Sequence, residues 1–239
     1  MPHASYPLTV QAQQENSAKP ERPQRAVDLF SDILDLRSRI DDGFAAADHL
    51  PRVVVVGDQS AGKTSVLEVV VGARIFPRGA GEMMTRSPIQ VTLSEGSEHT
   101  AVFKDTPGQV YNLGQEADLR VLRKEVEARM LAGLAEGEVV APGSVAIDVR
   151  GPGLYPMVLV DLPGIIQHHT RGMPASTKGS ILDMCRTHIE NPNAVILCVQ
   201  DASRDAEGSS VADLVSRADP AGDRTIFVLT KVDLAERLK

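Results

Sequence analysis

The chain has 239 residues, a formal net charge of −7, and only 3% aromatic residues with no tryptophan. This length suits one large α/β domain with a short appendage and excludes two full domains, while the acidic balance argues against nucleic acid as a partner and requires any phosphate site to be local. Cys185 and Cys198 show neither metal nor disulfide spacing, no apolar run reaches the roughly 18 residues that span a bilayer, and the N-terminus carries no recognisable targeting segment.

Residues 1–23 are rich in Gln, Ser and Pro and are expected to be disordered. Residues 24–44 follow a helical period, with Val27, Phe30, Ile33 or Leu34, and Ile40 on one face and Gly43 placed to end the helix. That stripe suits packing on the neighbouring domain or membership of a helical bundle. Residues 50–239 read as one α/β domain. Arg52–Val56 is a valine strand that runs into Gly57-Asp58-Gln59-Ser60-Ala61-Gly62-Lys63-Thr64 and then a helix through Val71. Ile89–Leu93 and Thr100–Lys104 suggest a hairpin pair. Leu119, Leu122, Val126 and Met130 mark an amphipathic helix, read as an insertion. Strands follow at Val145–Val149 and Met157–Val160, then a helix over about Thr177 to Glu190 and a strand at Ala194–Val199. A last helix near Ser210–Arg217 precedes strand Thr225–Leu229. Cys198 reads as a small core hydrophobe and Cys185 as a helix-face residue. The alternation predicts a three-layer α/β fold with a mostly parallel central sheet, and the glycine loop between its first strand and helix makes that a P-loop NTPase fold.

The glycine loop fits G-x-x-x-x-G-K-[ST] between a strand and a helix, the setting that gives this motif its meaning. Its backbone N–H groups converge where the helix N-terminus already favours negative charge. Lys63 is expected to bridge phosphate oxygens, and the Thr64 hydroxyl to ligate Mg²⁺. The whole loop, with Gly57, Ser60, Ala61, Gly62, Lys63, Thr64 and Ser65, forms the candidate phosphate site.

Two D-x-P-G segments compete for the metal side. Asp105-Thr106-Pro107-Gly108 lies 42 residues after Lys63, and Asp161-Leu162-Pro163-Gly164 lies 98 after it. Met157–Val160 is a fully apolar strand ending at Asp161, whereas Asp105 follows an alternating, half-exposed one. Asp161 also stands 69 residues before Thr230, room for two α/β units. Asp161 is therefore the expected Mg²⁺-side carboxylate, with the Gly164 N–H toward the γ-phosphate and Asp105 in an exposed turn.

Thr85, in Met83-Met84-Thr85-Arg86-Ser87-Pro88, suits a switch loop that completes the Mg²⁺ shell. Thr230-Lys231-Val232-Asp233 ends a buried strand. Asp233 can accept two hydrogen bonds from guanine, which adenine cannot supply; at about 1.5–3 kcal/mol each they would favour GTP by hundreds-fold. Lys231 would lie along the base.

Taken together, the Gln-Ser in the P-loop, the M-T-R-S-P segment, D-L-P-G, and T-K-x-D in place of N-K-x-D resemble the dynamin superfamily, and within it the mitochondrial inner-membrane fusion branch. The resemblance spans about residues 26–239. It implies that GTP is hydrolysed without an arginine finger, with Ser60 and the backbone near Gly79 holding a monovalent cation, K⁺ or Na⁺. It implies that Gln59 helps to orient the attacking water, and that two domains dimerise across their nucleotide sites through the loop Thr170–Thr177. It further implies a mitochondrial location on the intermembrane-space side of the inner membrane. The family's remaining GTPase strand and helices, its last base-contacting loop, its stalk and its membrane paddle would follow Lys239, so membrane contact is expected only through segments outside this chain. Three functions stay open at this point: a GTPase, a guanine-nucleotide- or partner-binding module with little turnover, and a P-loop ATPase, which Asp233 disfavours.

Overall fold

A computed structural model describes residues 52–78, 83–166, 173–203 and 209–235. The segments expected to be disordered (1–23) and helical (24–44) lie outside the described residues, as do Gly79 and residues 170–172 of the expected dimer loop.

β1 (Arg52–Gly57) enters the loop and α1 (Lys63–Val71) leaves it; β2 (Ile89–Glu95), β3 (Thr100–Phe103) and β4 (Thr106–Asn112) follow. Next come α2 (Glu116–Ala132), β5 (Val145–Gly151), β6 (Met157–Asp161), α3 (Thr177–Ile189) and β7 (Ala194–Asp201). The described residues end with α4 (Ser210–Ala218), β8 (Thr225–Thr230) and the one-turn α5 (Val232–Ala235).

All eight strands form one sheet in the order β4-β3-β5-β2-β6-β1-β7-β8. β6, β1, β7 and β8 run parallel, and the alternating side chains of β1 divide the core. Val53 and Val55 face one cluster with Leu67 and Val70 of α1 and Leu122 and Val126 of α2. Val54 and Val56 face the other, with Ile181 and Cys185 of α3 and Val211 and Val215 of α4. A strand covered on both faces needs an unbroken apolar run, and the four valines of β1 supply it. The three layers expected from the sequence are present, and both cysteines are fully buried in the α3–α4 side of the core. α2 buries the four residues its period marked, Leu119, Leu122, Val126 and Met130.

Two expectations are corrected. β8, expected to be a buried strand, is an edge strand with Phe227 and Leu229 exposed, because among the described residues only β7 lies beside it. β2 and β3 are not a hairpin pair: β2 lies between β5, parallel to it, and β6, antiparallel to it. β3 pairs with β5 and hairpins with β4 across the turn at Lys104–Asp105. Ile89, Val91 and Leu93 are fully buried, so β2 belongs to the sheet interior, while β4 forms an exposed edge. Pro107 and Gly108 hid β4 from a pattern search, because both are strand breakers everywhere but at such an edge. Among the described residues no helix is long and apolar enough to cross a membrane.

Candidate functional site

The carboxyl ends of β1, β6, β7 and β8 lie on one edge of the sheet, beside the central strand where chain connections diverge. In open α/β sheets that is where ligand crevices form. The chain leaves β1 at Gly57 and turns through Ser60, a non-glycine residue with φ of 64°, and Gly62, with φ of 94°. Space at Gly62 is also tight, since a Cβ there would lie 3.2 Å from Thr230 Cγ2. Lys231 is the other non-glycine residue with positive φ among those described, at 54°. Both such residues therefore sit at one site, the pattern expected where local backbone strain serves a function.

A cleft of about 380 Å³ opens over the loop, lined by Ser60, Lys63, Thr64, Thr85, Gly164 and Lys231 among others. Gln59, Ser65 and Met84 of the M-T-R-S-P segment also line it, with Arg78, which no motif marked. Lys63 is buried, its Nζ donating to the carbonyls of Gly57 and Asp58 at 3.2 Å each. Burial lowers its pKa, and the nearby Asp161 charge opposes that shift.

Asp161 closes β6 and is 1% exposed. Its Oδ2 accepts a hydrogen bond from Thr85 Oγ1 at 3.1 Å, whereas Oδ1 has no hydrogen-bond partner among the described residues. Burial raises the carboxyl to about 6, against the opposing effects of Lys63 and the Thr85 hydroxyl. A buried carboxylate oxygen without a partner, beside the Thr85 hydroxyl and the Lys63 ammonium and behind a cleft that Thr64 also lines, is a donor set that suits Mg²⁺, a hard cation bound by few protein oxygens plus water and phosphate. Among the described residues no group of three or more His, Cys, Asp or Glu side chains could hold a metal ion. Asp105 lies elsewhere, on the exposed β3–β4 turn, ion-paired with Arg129.

The loop and the segment after β6 are tied together. Gln59 N–H donates to Ile165 O at 2.9 Å, and Ile165 N–H donates to Gly57 O at 3.1 Å. Gly164 sits so close that a Cβ would lie 2.7 Å from Gln59 Cα and 3.0 Å from Lys63 Nζ. At the other end, Thr230 Oγ1 bonds to Ala61 O at 2.5 Å and to Gln200 O at 3.1 Å, joining β8 to the loop. Ala61 is buried at this junction. Asp233 is exposed on α5 and does not line the cleft. Lys231 does line it, and its Nζ bonds to Asp201 Oδ2 at 2.7 Å. No motif marked Asp201; its signal is an acidic residue ending a strand whose neighbour ends in T-K-x-D.

A strand, a strained glycine loop and a helix opening on a buried lysine, with a buried carboxylate ending the adjacent parallel strand, define a P-loop nucleotide-binding domain. The dynamin family's model matches residues 53–232, most of the chain, and the chain belongs to that family. It is 58% identical over 211 residues to "Dynamin-like GTPase OPA1, mitochondrial" of Danio rerio and to that of Homo sapiens, which covers 88% of this chain and 22% of each relative. "Dynamin-related protein 5A" of Glycine max is 37% identical over 193 residues, 80% of this chain and 31% of that protein. The chain thus spans about a fifth of the length of its mitochondrial relatives. The resemblance carried by the motifs is borne out.

Proposed function

We propose that this chain binds GTP with Mg²⁺ and hydrolyses it, as the GTPase portion of a dynamin-like protein that remodels and fuses mitochondrial inner membranes. The observation that carries the reading is a cleft lined by Lys63, Thr64 and Thr85, with Asp161 buried against the Thr85 hydroxyl and its Oδ1 left without a partner among the described residues. The similarity to mitochondrial dynamin-like GTPases supports the cellular setting.

In this reading Lys63 leaves its loop carbonyls for the β- and γ-phosphate oxygens, beside the N-terminus of α1, where negative charge is favoured. Thr64, Thr85 and Asp161 would hold Mg²⁺, directly or through water, and the Gly164 N–H would meet the γ-phosphate. When bound, the metal neutralises charge on the phosphates. Gln59, whose backbone is held by its bond to Ile165, would position the water that attacks the γ-phosphorus; the new oxygen–phosphorus bond forms as the bond to the β-γ bridging oxygen breaks, and the water's proton leaves with the products, GDP and phosphate. By the family resemblance, Ser60 and the segment near Gly79, which lies outside the described residues, would hold K⁺ or Na⁺. Asp233 and Lys231 read guanine, and a second copy docks across the site.

A second reading, a nucleotide-binding module with little turnover, is favoured by the exposure of Asp233 together with that of Phe227 and Leu229 on the adjacent edge strand β8. Base contacts exposed to water are worth less than buried ones. Phosphate release and GDP binding, each measured with Mg²⁺ in potassium and in caesium buffer and with ATP as competitor, separate the two. Multiple turnover absent from Lys63→Ala supports hydrolysis. Tight GDP binding without turnover supports the module, and equal competition by ATP overturns guanine selectivity.

A further inference from the structure

β7 ends at Asp201, which stands beside Thr230 in the parallel register of β7 and β8. The Asp201 side chain is 7% exposed and its two oxygens have separate tasks. Oδ1 accepts the Ser203 backbone N–H at 3.0 Å and the Ser203 hydroxyl at 2.6 Å, forming a tight local turn. Oδ2 accepts Lys231 Nζ at 2.7 Å. Burial alone would raise this carboxyl, but the bonds from Lys231 and Ser203 prevail and hold it down to about 2, so it is ionised at neutral pH. Lys231 leaves β8 in the left-handed region, with φ of 54°, and its side chain is 35% exposed at the mouth of the cleft that contains Lys63.

A lysine has a long stem with large rotamer entropy and a strongly hydrated charge. Left unheld at the edge of a phosphate cleft, it would sample many positions and favour the nearest anion. We propose that Asp201 is a positioning residue for the base end of the site: it fixes Lys231 so that its stem lies along guanine, and it neutralises an ammonium that would otherwise turn toward the phosphates. The proposal rests on the nucleotide-binding function given above. It makes Asp201 a determinant of guanine recognition with no contact to the nucleotide, acting by preorganisation.

Asp201→Asn in the full 239-residue chain is the informative variant, because an asparagine carbonyl still accepts from Ser203 while its amide cannot accept from Lys231. GDP affinity is expected to fall about tenfold, the loss of one charge-assisted hydrogen bond. Affinity for inorganic pyrophosphate is expected to hold or rise, with a steeper salt dependence as the freed ammonium meets phosphate. Equal losses for both ligands would mean a merely structural residue, and an unchanged GDP affinity would overturn the role outright. In a Lys231→Met background, Asp201→Asn should have no further effect on GDP; an undiminished loss there would also overturn it. A readout independent of nucleotide is the rate at which N-acetoxysuccinimide acetylates Lys231, followed by mass spectrometry. Acetylation should be slow in the wild type and in Ser203→Ala, and several-fold faster in Asp201→Asn; equal rates would show that the carboxylate does not hold the lysine. If the wild-type chain bound no GDP, the nucleotide function itself would fail and take this role with it, whereas GDP binding indifferent to Asp201→Asn removes the role alone.

Discussion

Thr85 Oγ1 donates to Asp161 Oδ2 at 3.1 Å across 76 residues of sequence. The loop before β2 and the end of β6 thus meet at one buried carboxylate. Thr85→Ala removes the donor and leaves both carboxylate oxygens without it. Mg²⁺ affinity in the presence of a non-hydrolysable GTP analogue should drop roughly 10–100-fold, with Thr85→Ser restoring most of it. Titration calorimetry reads this directly, and an alanine variant with wild-type Mg²⁺ affinity would remove Thr85 from the site.

Asp161 also makes a pH prediction. Its folded value is about 6, against about 3.9 for an unfolded aspartate. The folded state holds this proton more tightly, so the stabilisation is fully present below about pH 4 and is lost as pH rises through about 6. Without nucleotide, the buried carboxylate should destabilise the fold at neutral pH by on the order of 3 kcal/mol. Asp161→Asn is expected to raise the neutral-pH melting temperature, flatten its pH dependence, and abolish Mg²⁺-dependent GTP turnover. Asp105→Asn, which disturbs an exposed ion pair with Arg129, should shift stability by less than about 1 kcal/mol and leave turnover intact. Parallel melting curves for wild type and Asp161→Asn across this range would refute the assignment.

Two glycines should answer alanine in opposite ways. At Gly164 a Cβ would meet Gln59 backbone at 2.7 Å, and the loop must move to admit it. We expect a loss of about 1–3 kcal/mol in urea unfolding, accompanied by weaker GDP binding. At Gly179, inside α3, nothing lies within 4 Å of the added atom, and alanine should stabilise by up to about 1 kcal/mol. A harmless Gly164→Ala would mean that the loop and the D-L-P-G segment are not tightly joined.

Asp233→Asn should turn preference away from GTP and toward xanthosine triphosphate, because the xanthine carbonyl accepts where guanine donates. Each mismatched, charge-assisted bond is worth about tenfold or more. Competition binding with both nucleotides checks it. Retained preference for GTP would show that Asp233 does not read the base.

The parts of the fold that were legible in the sequence are those set by local pattern. The valine run of β1 could be buried on both faces only in a parallel sheet, and the spacing of Leu119, Leu122, Val126 and Met130 gave the inward face of α2 before any neighbour was known. The position of β2 was not legible, because an alternating strand carries no label for its partner, and β5 enters beside it from more than fifty residues away. In the site, Lys63, Thr85 and Asp161 were readable because motif order restricted them. The Asp201–Lys231 pair was not, since it depends on β7 and β8 being neighbours in a particular register. Asp105 and Asp161 were told apart by the strands that precede them, a distinction that burial upholds.

The Thr230 hydroxyl, bonded both to Ala61 O and to Gln200 O, has a thermodynamic corollary. A group shared between the base strand and the phosphate loop makes occupancy of either end alter the free energy of filling the other, and by the same factor in both directions. Affinity for a nucleoside should then change when a bare triphosphate already fills the loop, and affinity for the triphosphate should change by the same factor when the nucleoside is bound. That factor measures reciprocity across a single oxygen atom, and Thr230→Val, which keeps the shape and deletes the bonds, should bring it toward one.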